Sequence, residues 1–245
     1  MDIYYLDNSG FAMIENDTLL LFDVYNFTEK PEKQLFQEGF VEERELSTFA
    51  RVYVFVSHIH GDHFNEKIFR FAQENENTFF VLEKDVPASA QISYVKLSEK
   101  DVFADDYLRV TAWPSTDIGV SFQVEFAGKT IFHAGDLNYW HWQEESTQEE
   151  IKEAYEMYMD AIEMMQGNLY APDVAFFPVD PRMGSDIGRG AHMFIEAFHP
   201  KALIPMHFSN DFACLKAFQE EVGGKTHVYL PTRRGDLIQI KEHNN

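Results

Sequence analysis

His58-Ile59-His60-Gly61-Asp62-His63 packs three imidazoles and a carboxylate into one short stretch, directly after the apolar run Val52-Tyr53-Val54-Phe55-Val56. The run is rich in β-branched and aromatic residues, as a buried strand is, and residues 64–75 read as a helix. The ligand-type side chains therefore fall on a strand-to-helix loop. In extended backbone alternate side chains share a face, so His58 and His60 point the same way and can hold one ion together. Asp62 and His63 follow a turn at Gly61 and can face a second ion or a bound water. Imidazole nitrogen and carboxylate oxygen are donors that zinc, iron and manganese accept. Such a density of polar groups beside an apolar strand is costly unless something pairs with them, and we read the cluster as a metal site.

The pattern His-x-His-x-Asp-His resembles the signature of the metallo-β-lactamase superfamily, and the resemblance spans most of the chain. Asn8-Ser9-Gly10-Phe11 with Leu19-Leu20-Leu21-Phe22-Asp23 looks like the opening hairpin of that fold. Lys129-Thr130-Ile131-Phe132-His133-Ala134-Gly135-Asp136 looks like the strand ending in a Gly-Asp whose carboxylate bridges two metals. Ala202-Leu203-Ile204-Pro205-Met206-His207-Phe208 looks like the late strand that delivers the last histidine ligand. His-Ala-Gly-Asp followed by Leu137-Asn138-Tyr139-Trp140-His141-Trp142 looks most like a branch of metal-dependent hydrolases akin to the ascorbate-6-phosphate lactonases.

The resemblance implies an α/β (α+β) fold, a four-layer αβ/βα sandwich, as a single domain over residues 1–245. It implies metal ligands His58, His60, Asp62, His63, Asp136 and His207, holding one or two ions. Zn2+ is the expected metal, with Mn2+ or Fe2+ as alternatives. The superfamily usually takes a further histidine from a His-x-x-Gly segment, and here Thr116 stands in its place within Ser115-Thr116-Asp117-Ile118-Gly119. The first metal site is then weakened, rebuilt or empty, with Asp117, His133 or His141 as substitutes.

The expected chemistry is hydrolysis by a metal-activated water. Zinc lowers the pKa of a bound water from about 15.7 to about 7 and polarises a scissile carbonyl or phosphoryl oxygen. The motif gives Asp62 the role of holding that water. His133 shares a strand end with Asp136 and is a candidate proton donor, or a hydrogen-bonding support behind the ligands. Trp140, His141 and Trp142 are candidate walls of a small-molecule pocket, and Arg182 a candidate clamp for a substrate carboxylate or phosphate. The substrate class is a small polar lactone, amide or phosphoester. Two other classes compete: a non-hydrolytic iron-binding redox member of the fold, and a degenerate metal-binding or regulatory module.

Composition narrows the field further. With 41 acidic against 20 basic residues the formal charge is −21, which repels phosphate backbones and disfavours nucleic-acid partners. No apolar run approaches a membrane span, and no basic-then-apolar leader opens the chain, so the expected location is cytoplasmic. The single cysteine, Cys214, fits a reducing compartment and lies in the helical pattern Phe212, Leu215, Phe218, Val222 as a packing residue.

Strands are expected near residues 2–6, 10–15, 18–23, 52–56, 79–82, 91–96, 108–113, 119–127, 129–133, 173–177, 202–206, 227–230 and 236–240. Helices are expected at 64–75, 147–166, 188–198 and 210–222. Ser146 with Glu149 makes a capping box for the second of these, Gly167 its left-handed end, and Ile151, Ala154, Tyr155, Tyr158, Ile162 and Met165 its packing stripe. His192, His199, His227 and His243 have no ligand-like spacing and read as structural or exposed.

Overall fold

The computed structural model describes residues 1–27, 36–142 and 145–240, so His243 lies outside the described residues. The chain forms two compact units, one from Met1–Lys96 with Pro231–Asn245 and one from Leu97–Leu230.

The first unit carries a seven-stranded sheet. Strands β1 (Asp2–Asp7), β2 (Gly10–Glu15) and β3 (Thr18–Phe22) form an antiparallel meander. Asn16, in the left-handed conformation with φ 56°, makes the tight β2–β3 turn. Then β4 (Arg51–Val56) and β5 (Thr78–Glu83) add in parallel. β6 (Ser93–Leu97) lies at one edge, and β14 (Leu237–Gln239) pairs antiparallel with β1 at the other. Parallel strands need a crossover, and their two covered faces call for continuous apolar sequence. The Thr18–Phe22 strand accordingly has every residue buried. Leu19, Leu21, Val52, Val54, Phe80 and Leu82 build one core, closed by Ile68 and Phe71.

The helix expected over 64–75 is broken. A 3-10 turn covers Glu66–Arg70 and a four-residue helix, Phe71–Glu74, follows. Asn65 begins it by accepting from the Lys67 N–H, and Ile68 N–H bonds back to the Asn65 carbonyl, three residues away instead of four. Asn75 ends it, its amide donating to the carbonyls of Leu46 and Phe49. Side-chain bonds to backbone compete here with the α-helical ladder, which apolar periodicity does not reveal.

The second unit repeats the plan. β7 (Val102–Ala104), β8 (Leu108–Pro114), β9 (Val120–Phe126) and β10 (Lys129–His133) run antiparallel. β11 (Val174–Pro178), β12 (Ala202–Met206) and β13 (His227–Val228) continue in parallel. β7 is the one strand that the sequence reading omits; its three residues are too few to show alternation. The helices Gln148–Met165, Arg189–Phe198 and Cys214–Val222 fall in the three connections between the parallel strands.

The Gln148–Met165 helix starts from a capping box one residue later than expected. Thr147 Oγ1 accepts from Glu150 N at 3.2 Å and Glu150 Oε2 accepts from Thr147 N at 2.7 Å. Ser146 Oγ is occupied instead by the Trp142 N–H. Both pairs have the same spacing, so spacing alone could not choose between them. Gly167 adopts φ 81°, the left-handed conformation expected of it. Tyr158, Ala161, Ile162 and Met165 form the buried stripe, whereas Tyr155 is exposed. Cys214 opens the last helix half-buried, its thiol pushed up to about 11 by burial and by the nearby Asp211 carboxylate. No helix among the described residues is long and apolar enough to cross a membrane.

Candidate metal centre

In each unit the ligand-type residues follow the carboxyl ends of strands, where open sheets with parallel strands collect their functional groups. His58 to His63 follow β4 and Asp23 follows β3; Asp136 follows β10, Asp180 follows β11 and His207 follows β12. Asp23 and His207 both hold positive φ, 44° and 64°. For non-glycine residues that conformation is strained, and it persists where surrounding bonds over-determine it.

In the first unit the buried Asp23 carboxylate organises the histidines. Its Oδ1 accepts from Ser57 N at 2.8 Å, and its Oδ2 accepts from Ser57 Oγ at 2.7 Å and from His63 Nδ1 at 2.8 Å. A hydroxyl has one proton. Since Ser57 gives it to Asp23, the 2.9 Å contact between Ser57 Oγ and His58 Nδ1 must be donated by the imidazole. Asp23 thus determines two tautomers, His63 directly and His58 through Ser57, and both rings keep Nε2 as the lone-pair nitrogen. His58 Nε2 lies 3.1 Å from His60 Nδ1, and the His58 and His63 ring centroids are 4.0 Å apart. Asp62 is half exposed, and Asn8 Nδ2 donates to its Oδ2 at 3.1 Å.

In the second unit the same device recurs. His207 Nδ1 donates to Asp180 Oδ2 at 2.8 Å, and His207 Nε2 stands 3.6 Å from Asp136 Oδ1. That is too long for a good hydrogen bond, yet it suits two donors facing one cation. Asp180 is buried, which alone would raise its pKa. The bonds from His207 and Arg182 outweigh burial and push it down to about 2. In each unit, imidazole with Nε2 left for coordination stands beside carboxylate, His58 and His63 with Asp62 in the first and His207 with Asp136 in the second, donor types that fit a zinc-like ion.

Arg182, expected to clamp substrate, spends its guanidinium on Asp180, with Nε at 3.0 Å from each oxygen and Nη2 at 2.6 Å. It also lies over the Trp142 ring at 5.6 Å. His141 directs Nε2 to Asp186 at 2.9 Å and Nδ1 to the Tyr139 carbonyl at 3.2 Å, and stacks on Tyr139. Both its nitrogens therefore face oxygen acceptors within this unit. Trp140 donates its indole N–H to the Asp136 carbonyl at 2.8 Å and meets the His207 ring edge-on at 5.4 Å. His133 is fully buried, and its Nδ1 accepts from Gly135 N at 3.2 Å.

Thr116 has a structural partner of its own. Its hydroxyl donates to the Asn138 carbonyl at 2.5 Å and accepts from Asn138 N at 2.9 Å, tying down the loop that carries Asp136. Asp117 is exposed. His192 meets Glu221, His199 caps the Arg189–Phe198 helix in a left-handed conformation, and His227 is exposed.

Sequence reasoning missed Asp23 and Asp180 as working residues. Asp23 stands in the sequence as the end of the opening hairpin, and Asp180 carries no motif of its own. The usable signal was an acidic residue directly after a fully apolar strand, where an unpaired carboxylate is costly.

No family model matches the chain. It is 30% identical to a UPF0173 metal-dependent hydrolase of Staphylothermus marinus over 191 residues, which is 74% of this chain and 72% of the relative. Among solved structures it is similar to Igni18, a metallo hydrolase of the hyperthermophilic archaeon Ignicoccus hospitalis, with TM-score 0.67, 18% identity and 97% of each chain covered. It is also similar to the metallo-β-lactamase fold protein YhfI of Bacillus subtilis, with TM-score 0.63, 10% identity, and 97% of this chain and 98% of that one covered. These two likenesses carry the expected fold; the lactonase-like branch stays a resemblance. The chain belongs to the UPF0173 family of metal-dependent hydrolases, and its fold is that of the metallo-β-lactamase fold protein it is similar to.

Proposed function

We propose that the protein hydrolyses a small polar substrate, a lactone, amide or phosphoester, with His58, His60, Asp62, His63, Asp136 and His207 as the metal ligands and Zn2+ as the ion. The observation that carries this reading is the pair of buried carboxylates, Asp23 and Asp180, each taking the Nδ1 proton of a motif histidine and leaving Nε2 as donor. When bound, the ion supplies activation of a water and polarisation of the scissile oxygen.

The chain's own residues supply orientation. Asn8 steadies Asp62, whose exposed carboxylate is suited to accept the proton of an attacking water. His133 is sealed from solvent and accepts from Gly135, which favours support of the Asp136 turn over proton donation. Trp140 holds the Asp136 carbonyl and offers a ring to substrate. Arg182 acts through Asp180 and Trp142.

The net charge of −21 supports a small-molecule substrate over nucleic acid, and the lone cysteine supports a reducing, cytoplasmic setting. The test is metal analysis of purified protein, then chelation, reloading with zinc, and assay on p-nitrophenyl esters and bis-p-nitrophenyl phosphate. Stoichiometric zinc and zinc-restored hydrolysis are expected, and Asp136→Ala should lose both metal and turnover. Redox-active iron with no hydrolysis, or full metal occupancy in the Asp136→Ala variant, would overturn the reading.

A further inference from the structure

We propose that a cleft beside Trp140 is a subsite for a cationic arm of the substrate, an ammonium group on a short alkyl chain; as a substrate subsite it rests on the hydrolase reading above. The cleft holds about 220 Å3 and is lined by Thr116, Trp140, Glu150, Glu153, Ala154 and Met157. A water takes about 30 Å3 of liquid, so a short aliphatic amine fits with some of its hydration.

The cleft adjoins the Asp136 turn. Trp140 donates its indole N–H to the Asp136 carbonyl, and the Thr116 hydroxyl lies 3.5 Å from the same oxygen. Glu150, Glu153, Ala154 and Met157 fall at i, i+3, i+4 and i+7 along the Gln148–Met165 helix and so share one face. That face adjoins the buried stripe of Tyr158, Ala161, Ile162 and Met165, the half-buried Ala154 lying where the two meet. Its acidic end and its apolar end lie along one groove, an arrangement matched to an amphipathic cation.

Among the described residues neither Glu150 nor Glu153 has a basic partner. The helix has a single basic residue, Lys152, and its ammonium lies 3.3 Å from Glu156, outside the cleft. Glu150 is fixed by the capping box, whose hydrogen bonds lower its pKa and keep it ionised. An indole face attracts a cation through its quadrupole, most strongly where water is partly excluded. Trp140, the half-buried wall of the cleft, supplies that face, and the aliphatic Ala154 and Met157 suit the alkyl stem. Among the described lining residues an anionic substrate arm would meet two carboxylates and no cation.

With three tryptophans in the chain, 15N-labelled indole spectra resolve Trp140 after assignment by single Trp→Phe variants. We expect n-pentylamine hydrochloride at neutral pH to shift the Trp140 resonance saturably, and 1-pentanol to shift it far less. Glu153→Gln should weaken the amine by about two- to fivefold, from loss of one exposed charge against a cation held jointly by the ring. Glu153→Lys should abolish its binding, and Glu156→Gln, outside the cleft, should leave it unchanged. Equal responses to amine and alcohol, or an unaltered titration in Glu153→Gln, would overturn the subsite and leave the carboxylates serving only the helix dipole. In parallel, zinc-loaded protein should prefer p-nitrophenyl 6-aminohexanoate to p-nitrophenyl hexanoate, with the preference lost in Glu153→Gln. Failure to cleave either ester counts against the hydrolase reading alone, because the titration decides the cleft by itself.

Discussion

His207 Nδ1 lies 2.8 Å from Asp180 Oδ2, and the same carboxylate accepts two nitrogens of Arg182. A histidine whose inner nitrogen is held this way has one tautomer and one ring orientation, with Nε2 left as the donor. Asp180→Asn should therefore weaken zinc binding by about 10- to 100-fold. Competition with a chromogenic chelator measures this. Unaltered affinity would mean that the bond is incidental to the metal.

Acid stability follows from the same carboxylate. Its folded pKa, about 2, lies below the ordinary 3.8. A depressed group contributes stability in full above its unfolded pKa and loses it as pH falls through the folded one. The stability difference between wild type and Asp180→Asn should thus shrink as pH falls from about 4 to about 2, by about 2 kcal/mol. Urea titrations at half-unit steps across that window read it; a constant difference would refute the linkage.

Ser57→Ala tests the relay from Asp23 to His58. Without the hydroxyl, His58 Nδ1 loses its acceptor while His63 keeps Asp23. Imidazole 15N shifts should show His58 in mixed tautomers and His63 unchanged. Stability should fall by about 1–3 kcal/mol, as for a buried hydrogen bond left without its partner. A disturbed His63 with an intact His58 would reverse the proposed direction of the relay.

Thr116→His restores the residue that the superfamily motif usually carries. Where the wild-type protein retains one ion, this variant should gain a second, counted by elemental analysis. It should also lose stability, because the bonds between Thr116 and Asn138 disappear. No gain in metal would show that the loop, and not the missing ligand, limits occupancy.

Gly190 sits in the first turn of its helix, where an added Cβ would overlap Asn138 Oδ1 and lie 2.9 Å from Tyr139 N. Gly190→Ala should destabilise by about 1–3 kcal/mol through overpacking. The variant should also perturb the loop that bears Trp140, visible in the indole spectrum. Wild-type stability would mean that the loop yields freely.

Periodicity carried most of the secondary structure. β4 and β12 are short apolar runs with every, or nearly every, residue buried, and each ends at a ligand-type residue one or two positions on. The helix expected over 64–75 failed because Asn65 and Asn75 bond to backbone, a choice made by neighbours rather than by the apolar pattern. The capping box slipped by one residue because Ser146 found Trp142.

Local order along the chain was enough to name the histidine motif, the Gly135-Asp136 turn and His207, because donor type and strand context are properties of contiguous residues. It was enough, too, for the fold and for a metal-dependent hydrolase. What side chains do to one another across strands was decided only in three dimensions. Asp23 reaches Ser57 and His63 because β3 and β4 pair in parallel, and Asp180 reaches His207 because β11 and β12 do. Arg182, its side chain still largely exposed, is held by the buried Asp180 carboxylate two residues before it, and that burial comes from the tertiary structure.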